Sequence, residues 1–511
     1  MAFLFYLLLG MSFMANKQRF IRNSTASILQ TILSVLILFF LYKHLIVHLG
    51  SEQLGLWSVI LASISFARLS EMGLAGSVVK FVARYIGLGE KVQAAEIIQT
   101  AAISIATIMA IFCFLGYFLL DKFLVFVIPK SLVSQASILL PWTFLSLWLG
   151  SVAGVFQSGL DGCQRFDIRS TLLVLSNIFF FALVFFTVSN FGLVGLAISQ
   201  VLQSLFFLLA TWFALRKQLQ SLSWLPFFWR KDKFSEMLSY AFSFQIISIA
   251  SLLSDPIVKL LMSHFGGLSV TGFYEMASQL IIKLRSLILA VTQLLVPIAS
   301  ELNETSPKKI RNFYLQNFRL LFLIAVPLYC ITIISLPLIS IIWIGYIEIK
   351  FIIFGVILGI GWGFNTLVTP AYFINLGIGN LRPNYLSHIL LGLINLGLSL
   401  VLGPNFGAEG VALAFAISLF LSSSFILYSI HRYLNIPFTA FIPKAHYPLI
   451  KITIMMLLIF TITSLKYLLG KQAIFLSIIN IMLFLTLSFV VFWLHPYRKL
   501  ILFKIKSITY E

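Results

Sequence analysis

Runs of about twenty apolar residues follow one another along almost the entire chain, the length that carries a helix across the hydrocarbon core of a bilayer. A water-soluble fold of 511 residues could not hide them, because 60% of the chain is hydrophobic and only 10% is charged. An average soluble domain is nearer a quarter charged. Backbone groups inside lipid must be satisfied within the segment, so these runs are helices. Fourteen spans are expected, near 24–46, 54–80, 96–120, 133–158, 170–190, 192–215, 234–262, 270–300, 314–343, 349–375, 383–403, 408–431, 447–468 and 472–494. The fold class is therefore an all-α polytopic membrane protein.

The net charge of +19 could point to nucleic acid, but its distribution argues otherwise. With the N-terminus in the cytoplasm, alternate connections hold 25 of the 35 Lys and Arg residues, and the opposite side holds six. Such a split is the positive-inside pattern, and it places both termini in the cytoplasm. No nucleic-acid partner is expected. The segment 1–19 precedes the first span, and Met1–Met14 has no basic leader and is too short to cross. The expected reading is that 1–13 is a misassigned start, with Met14 the first residue; the alternative is a short interfacial segment.

A repeat is written into the chain. Asn190-Phe191-Gly192-Leu193-Val194-Gly195 returns as Asn405-Phe406-Gly407-Ala408-Glu409-Gly410, an offset of 215. His48-Leu49-Gly50 leading to Gly55-Leu56-Trp57 is echoed by His264-Phe265-Gly266 leading to Gly272-Phe273-Tyr274, with a later offset of 217. The same 217 carries Arg68 onto Arg285. The expected organisation is two pseudo-symmetric six-helix lobes, 20–218 and 234–432, joined by a cytoplasmic linker at 219–233. Two C-terminal helices at 433–495 and a cytoplasmic tail at 496–511 complete it. Both lobes start from the same side, so the repeat is parallel. Parallel repeats are common in secondary transporters, whose substrate site lies between the halves.

Seven charges fall inside spans: Arg68, Glu71, Asp255, Lys259, Glu275, Lys283 and Arg285. Each costs about 2.5–3.5 kcal/mol at the bilayer centre on insertion scales, so such residues face a bundle interior or a wet cavity. Arg68 and Glu71 are spaced for pairing, as are Asp255 and Lys259. Gln245, Ser248 and Ser251 extend the stripe of the latter pair, and Pro256 invites a kink there. Glu275, Gln279, Ser286 and Gln293 line one side of the eighth span, with Lys283 and Arg285 on its opposite edges. Arg285 is the better candidate for the cavity, because its repeat partner is also Arg. The plainer alternative is that Lys259 and Glu275 reach the interface by snorkelling.

Small residues at Gly355, Gly359 and Gly363, and at Gly150 and Gly154, predict close helix approach. Cys113, Cys163 and Cys330 have no metal or C-x-x-C spacing and predict no disulfide. No nucleotide-binding loop or zinc motif is present, so no cofactor and no metal is expected.

The segment Leu49-Gly50-Ser51-Glu52-Gln53-Leu54-Gly55-Leu56-Trp57, the segment Arg68-Leu69-Ser70-Glu71-Met72-Gly73-Leu74 and the two Asn-Phe-Gly-x-x-Gly openings resemble a known family. The basic entry Asn16-Lys17-Gln18-Arg19-Phe20-Ile21 fits it as well. This is the polysaccharide transporter (Wzx-type) branch of the multidrug/oligosaccharidyl-lipid/polysaccharide flippase superfamily. The resemblance implies a flippase, not an enzyme, that carries a polyprenyl-pyrophosphate-linked oligosaccharide to the outer leaflet around a cationic lumen. It points to Arg68, Arg285, Lys283 and Lys259 for substrate and to Asp255, Glu71 and Glu275 for ion or proton coupling. Membrane lipids surround such a protein, and a glycan polymerase with chain-length machinery is a candidate partner. The alternatives are a cation-coupled multidrug exporter of the same superfamily and, further off, a membrane glycosyltransferase or polymerase. The absence of any long loop counts against the last.

Overall fold

The computed structural model describes residues 17–67, 74–224, 228–238, 254–437, 446–467 and 473–494. Met1–Met14, Arg68, Glu71 and the stripe Gln245, Ser248 and Ser251 lie outside the described residues. The described chain is helical throughout: α1 (Lys17–Ser65), α2 (Leu74–Gly87), α3 (Lys91–Phe123), α4 (Lys130–Gly162), α5 (Phe166–Gln218), α6 (Asp255–Gly266), α7 (Leu268–Thr292) and α8 (Leu295–Thr305). Then follow α9 (Ile310–Ile344), α10 (Ile349–Leu367), α11 (Thr369–Gly377), α12 (Arg382–Tyr433), α13 (Tyr447–Tyr467) and α14 (Ala473–Leu494).

Three of these rods are too long for one crossing. At 1.5 Å per residue, the 53 residues of α5 would run more than twice the roughly 30 Å of a bilayer core. Each long rod is two spans joined at a glycine with a non-helical backbone: Gly50 in α1, Gly192 in α5 and Gly407 in α12. The torsions repeat along with the sequence. Gly192 (φ 56°, ψ −134°) matches Gly407 (φ 60°, ψ −142°). Gly50 (φ 76°, ψ 173°) matches Gly267 (φ 82°, ψ 168°), which ends α6. These are conformations that glycine adopts at little cost and a Cβ disfavours.

The Asn-Phe-Gly-x-x-Gly motif now has a physical account. The amides of Asn190 and Asn405 each donate to a carbonyl one turn back, on Phe186 and Val401, both at 2.8 Å. Phe191 and Phe406 point outward and are exposed. A Cβ on Gly195 or Gly410 would collide with the carbonyl of Thr187 or Leu402. The repeat extends to packing that sequence comparison did not reach. A Cβ on Gly162 would stand 2.7 Å from Cβ of Val82, and one on Gly377 would stand 2.7 Å from Cβ of Ala299.

The chain forms two compact units. The first comprises Leu29–Glu275 and Leu391–Ala414, and the second comprises Met1–Ile28, Met276–Leu390 and Phe415–Glu511. Within the first, the α1 bend meets the start of α7. A Cβ on Gly55 would strike the Leu268 carbonyl, and one on Gly272 would strike the Ser51 carbonyl. The linker lies against α2 and α3, held by Trp229 Nε1 to Ser104 Oγ (3.0 Å) and by Lys233 Nζ to Tyr85 and Gln93 (2.8 Å each).

Within the second unit, Tyr314, Phe318 and Phe322 of α9 pack with Ala371, Ile374, Ile426 and Ile430. Met456, Phe460 and Phe484 seat α13 and α14 against Cys330, Ile333 and Ile334 of α9. Pro327 and Pro337 sit inside α9 without ending it. Gly355, Gly359 and Gly363 of α10 face Leu336, Ile333 and Tyr329 of α9, as the small-residue pattern predicts. For Gly150 and Gly154, a Cβ on either would meet nothing within 4 Å among the described residues. Cys113, Cys163 and Cys330 form no disulfide with one another.

Candidate functional site

Intramembrane charge collects at two places, one in each unit. In the second unit, α7 carries Arg285 and α10 faces it with Trp362 and Asn365, one helical turn apart. Arg285 Nη2 donates to Asn365 Oδ1 at 3.0 Å. The other end of that amide, Nδ2, donates to Ser423 Oγ on α12 at 2.8 Å. The guanidinium lies 4.6 Å from the centroid of the Trp362 ring, which is edged by Phe415 at 5.8 Å. Tyr329, Tyr372 and His388 lie within electrostatic reach of the same charge. Tyr329 shares a 2.8 Å hydrogen bond with Thr366, and Tyr372 meets His388 edge to face.

Two features of this cluster carry chemical meaning. Every partner is neutral, and no described carboxylate pairs with Arg285. In addition, Arg285 Nε and Trp362 Nε1 are buried with no hydrogen-bond partner among the described residues. A full positive charge with two idle N–H donors is a receptor for an acceptor-only anion. Lys283, two residues before Arg285, is half-buried and forms no ion pair with a described residue.

The first unit holds an acid–base cluster. Lys259 Nζ lies 3.0 Å from Asp255 Oδ2 and 2.9 Å from Glu275 Oε2. Ser58 Oγ donates to Glu275 Oε2 at 2.8 Å, and the Tyr42 hydroxyl donates to Oε1 at 3.2 Å. Lys259 and Glu275 are buried, at 9% and 6% exposure, so neither snorkels to water. Among the described residues, two carboxylates and one ammonium leave a formal charge of −1. Pro256 stands in the first turn of α6, after Ser254, so the proline begins a helix there. An uncharged polar thread runs elsewhere in this unit, from Gln30 and Ser34 to Asn177 and Gln203.

The sequence therefore placed Asp255 beside Lys259 correctly. Structure adds Glu275 as the second acid, through helix contact rather than spacing. Trp362, Asn365, Ser423, Tyr42 and Ser58 were missed. The only signal for them was polarity within an apolar run, which asparagine and serine give weakly and tryptophan does not give.

The polysaccharide biosynthesis protein family profile matches residues 19–303. A Shigella flexneri protein curated as "Putative O-antigen transporter" is 22% identical over 390 residues, covering 73% of this chain and 89% of that protein. Among solved structures, the lipid II flippase MurJ in an inward closed conformation is similar with a TM-score of 0.74 at 15% identity, covering 94% of this chain and 100% of MurJ. An inward-facing multidrug resistance MATE family transporter of the MOP superfamily is similar with a TM-score of 0.67 at 14% identity, covering 85% of this chain and 99% of that one. These structural likenesses establish a shared multi-pass membrane fold. With the profile spanning more than half of its length, the chain belongs to the polysaccharide biosynthesis protein family.

Proposed function

We propose that this protein is a flippase of the bacterial inner membrane, with both termini cytoplasmic. It moves a polyprenyl-pyrophosphate-linked oligosaccharide from the cytoplasmic to the outer leaflet by alternating access, for export of a surface polysaccharide. The observation that carries the proposal is Arg285, a half-buried guanidinium whose described partners are neutral and whose Nε is a buried donor with no described partner. At an effective dielectric of about 20, an anion 4 Å away gains about 4 kcal/mol of attraction. That offsets the roughly 2.5–3.5 kcal/mol cost of keeping the charge in the membrane. Family membership and the O-antigen transporter likeness support the glycan, and the MurJ likeness supports the lipid carrier.

Arg68, Lys283 and Arg285 are assigned to the substrate anion. Lys259 joins them only by giving up an acid partner, since it is engaged by two. Asp255, Glu275 and Glu71 are assigned to ion or proton coupling. The six-span lobes at 20–218 and 234–432 are the moving bodies, and a glycan polymerase with its chain-length machinery is the downstream partner.

Deletion of the gene is expected to abolish one surface glycan and to accumulate its lipid-linked unit on the cytoplasmic side. An unchanged glycan profile refutes the proposal. One observation favours a second reading, a cation-coupled multidrug exporter: the acid–base cluster is net negative, as a cationic drug requires, and the fold is shared with a MATE transporter. Drug hypersensitivity of the deletion strain with normal surface glycan would select that reading.

A further inference from the structure

The partners of Arg285 raise a question of charge. An arginine within a membrane ordinarily pairs with an opposite charge or with backbone carbonyls. Here the acceptor at 3.0 Å is an amide oxygen, and that amide is turned the right way by Ser423, which accepts from its nitrogen at 2.8 Å. An amide satisfies a guanidinium donor without cancelling the charge. The indole of Trp362 covers one face of the guanidinium at 4.6 Å, which favours the cation while leaving its edge free. Its own Nε1 is buried and unpartnered, as is Arg285 Nε.

We propose that Trp362, Asn365 and Ser423 form a charge-preserving clamp: Asn365 and Ser423 are positioning residues that fix the Arg285 guanidinium uncompensated, and Trp362 both stacks on it and supplies a second N–H donor to the same phosphate group. The inference rests on the proposed function, which it deepens by naming the residues that make Arg285 selective for phosphate. The clamp explains why three neutral side chains from two helices converge on one charge in an apolar bundle. An aspartate at 365 would hold the guanidinium more tightly and would defeat its purpose, because the ion pair would have to break before each substrate bound.

The test uses the full-length protein in phosphatidylcholine nanodiscs, with calorimetric titration of three probes. Farnesyl diphosphate represents a lipid diphosphate, inorganic pyrophosphate the free anion, and phosphatidylglycerol a bulk lipid phosphate. Asn365→Asp is expected to melt no lower than the wild type yet to bind the diphosphates at least about tenfold more weakly, the loss of one charge-assisted contact. Asn365→Gln, which keeps the amide and the charge, is expected to recover part of the affinity. Trp362→Phe keeps the stacked ring, loses the donor, and is expected to weaken binding about three- to tenfold.

Wild-type affinity in Asn365→Asp overturns the clamp. If that variant does not accumulate, Ser423→Ala takes its place, with weaker diphosphate binding at an unchanged melting temperature expected and wild-type binding again overturning the proposal. Binding of pyrophosphate or phosphatidylglycerol but not farnesyl diphosphate, with the same Asp effect, supports the clamp and removes the lipid-diphosphate reading. No binding of any probe by the wild type overturns the clamp itself.

Discussion

Arg285, half-buried, and Lys259, buried, are two cations within apolar helices that meet the cost of desolvation in opposite ways. Lys259 is enclosed by two acids, so removing it strands them. Lys259→Met is expected to cost about 3–5 kcal/mol, because a buried pair loses one partner. Lys259→Met combined with Glu275→Leu is expected to recover most of that loss. Thermal melts of the purified variants check both, and equal destabilisation by the single and double variants would show that the pair is not the cause. No described acid pairs with Arg285, so its removal strands no described carboxylate and leaves only the neutral Asn365 amide oxygen without its donor. Arg285→Ala is expected to insert and melt close to the wild type while export falls by at least about tenfold. Arg285→Lys is expected to rescue little, because an ammonium offers neither the planar fork nor the stacking face. Arg285 was legible in the sequence through its repeat partner and its place in an apolar run. Its clamp was not, since Trp362 and Asn365 belong to another helix, and nothing in a linear pattern says which two helices touch.

At the scale of the helices, glycine has three distinct uses here, and substitutions separate them. Gly407 sits at φ 60° where the chain must bend, so Gly407→Ala is expected to cost about 1–3 kcal/mol. Gly397, in the same rod, has an ordinary φ and open space around its missing Cβ. Gly397→Ala is therefore expected to be neutral or to stabilise by up to about 1 kcal/mol. Opposite signs within one helix, read from melting temperatures, check the assignment. The third use is close approach, as at Gly359 against Ile333. A G-x-x-x-G spacing announces it only where a neighbour is present: Gly355 and Gly359 meet Leu336 and Ile333, whereas Gly150 and Gly154 meet no described residue. Span positions were legible for a stronger reason: apolar runs of bilayer length have no alternative fate. The continuous rods at Gly50, Gly192 and Gly407 were not foreseen as rods, because a glycine between two apolar runs looks like the end of both.

For the molecule as a whole, the distribution of the +19 net charge predicts an orientation that labelling can test. A cysteine introduced at Lys308 is expected to react with a membrane-impermeant maleimide only after the cells are opened, and one at Tyr346 in intact spheroplasts. The reverse labelling would invert the topology. The matched torsions carry one more consequence. A bend set by backbone angles alone asks for one residue lacking a side chain, and asks nothing of its neighbours. The two halves of the chain are thus built from interchangeable parts: residues 162–195 and 377–410 begin at equivalent packed glycines and end at equivalent carbonyl contacts, with the same bend between them. Grafted into the other half, either segment would bring its own bend with it.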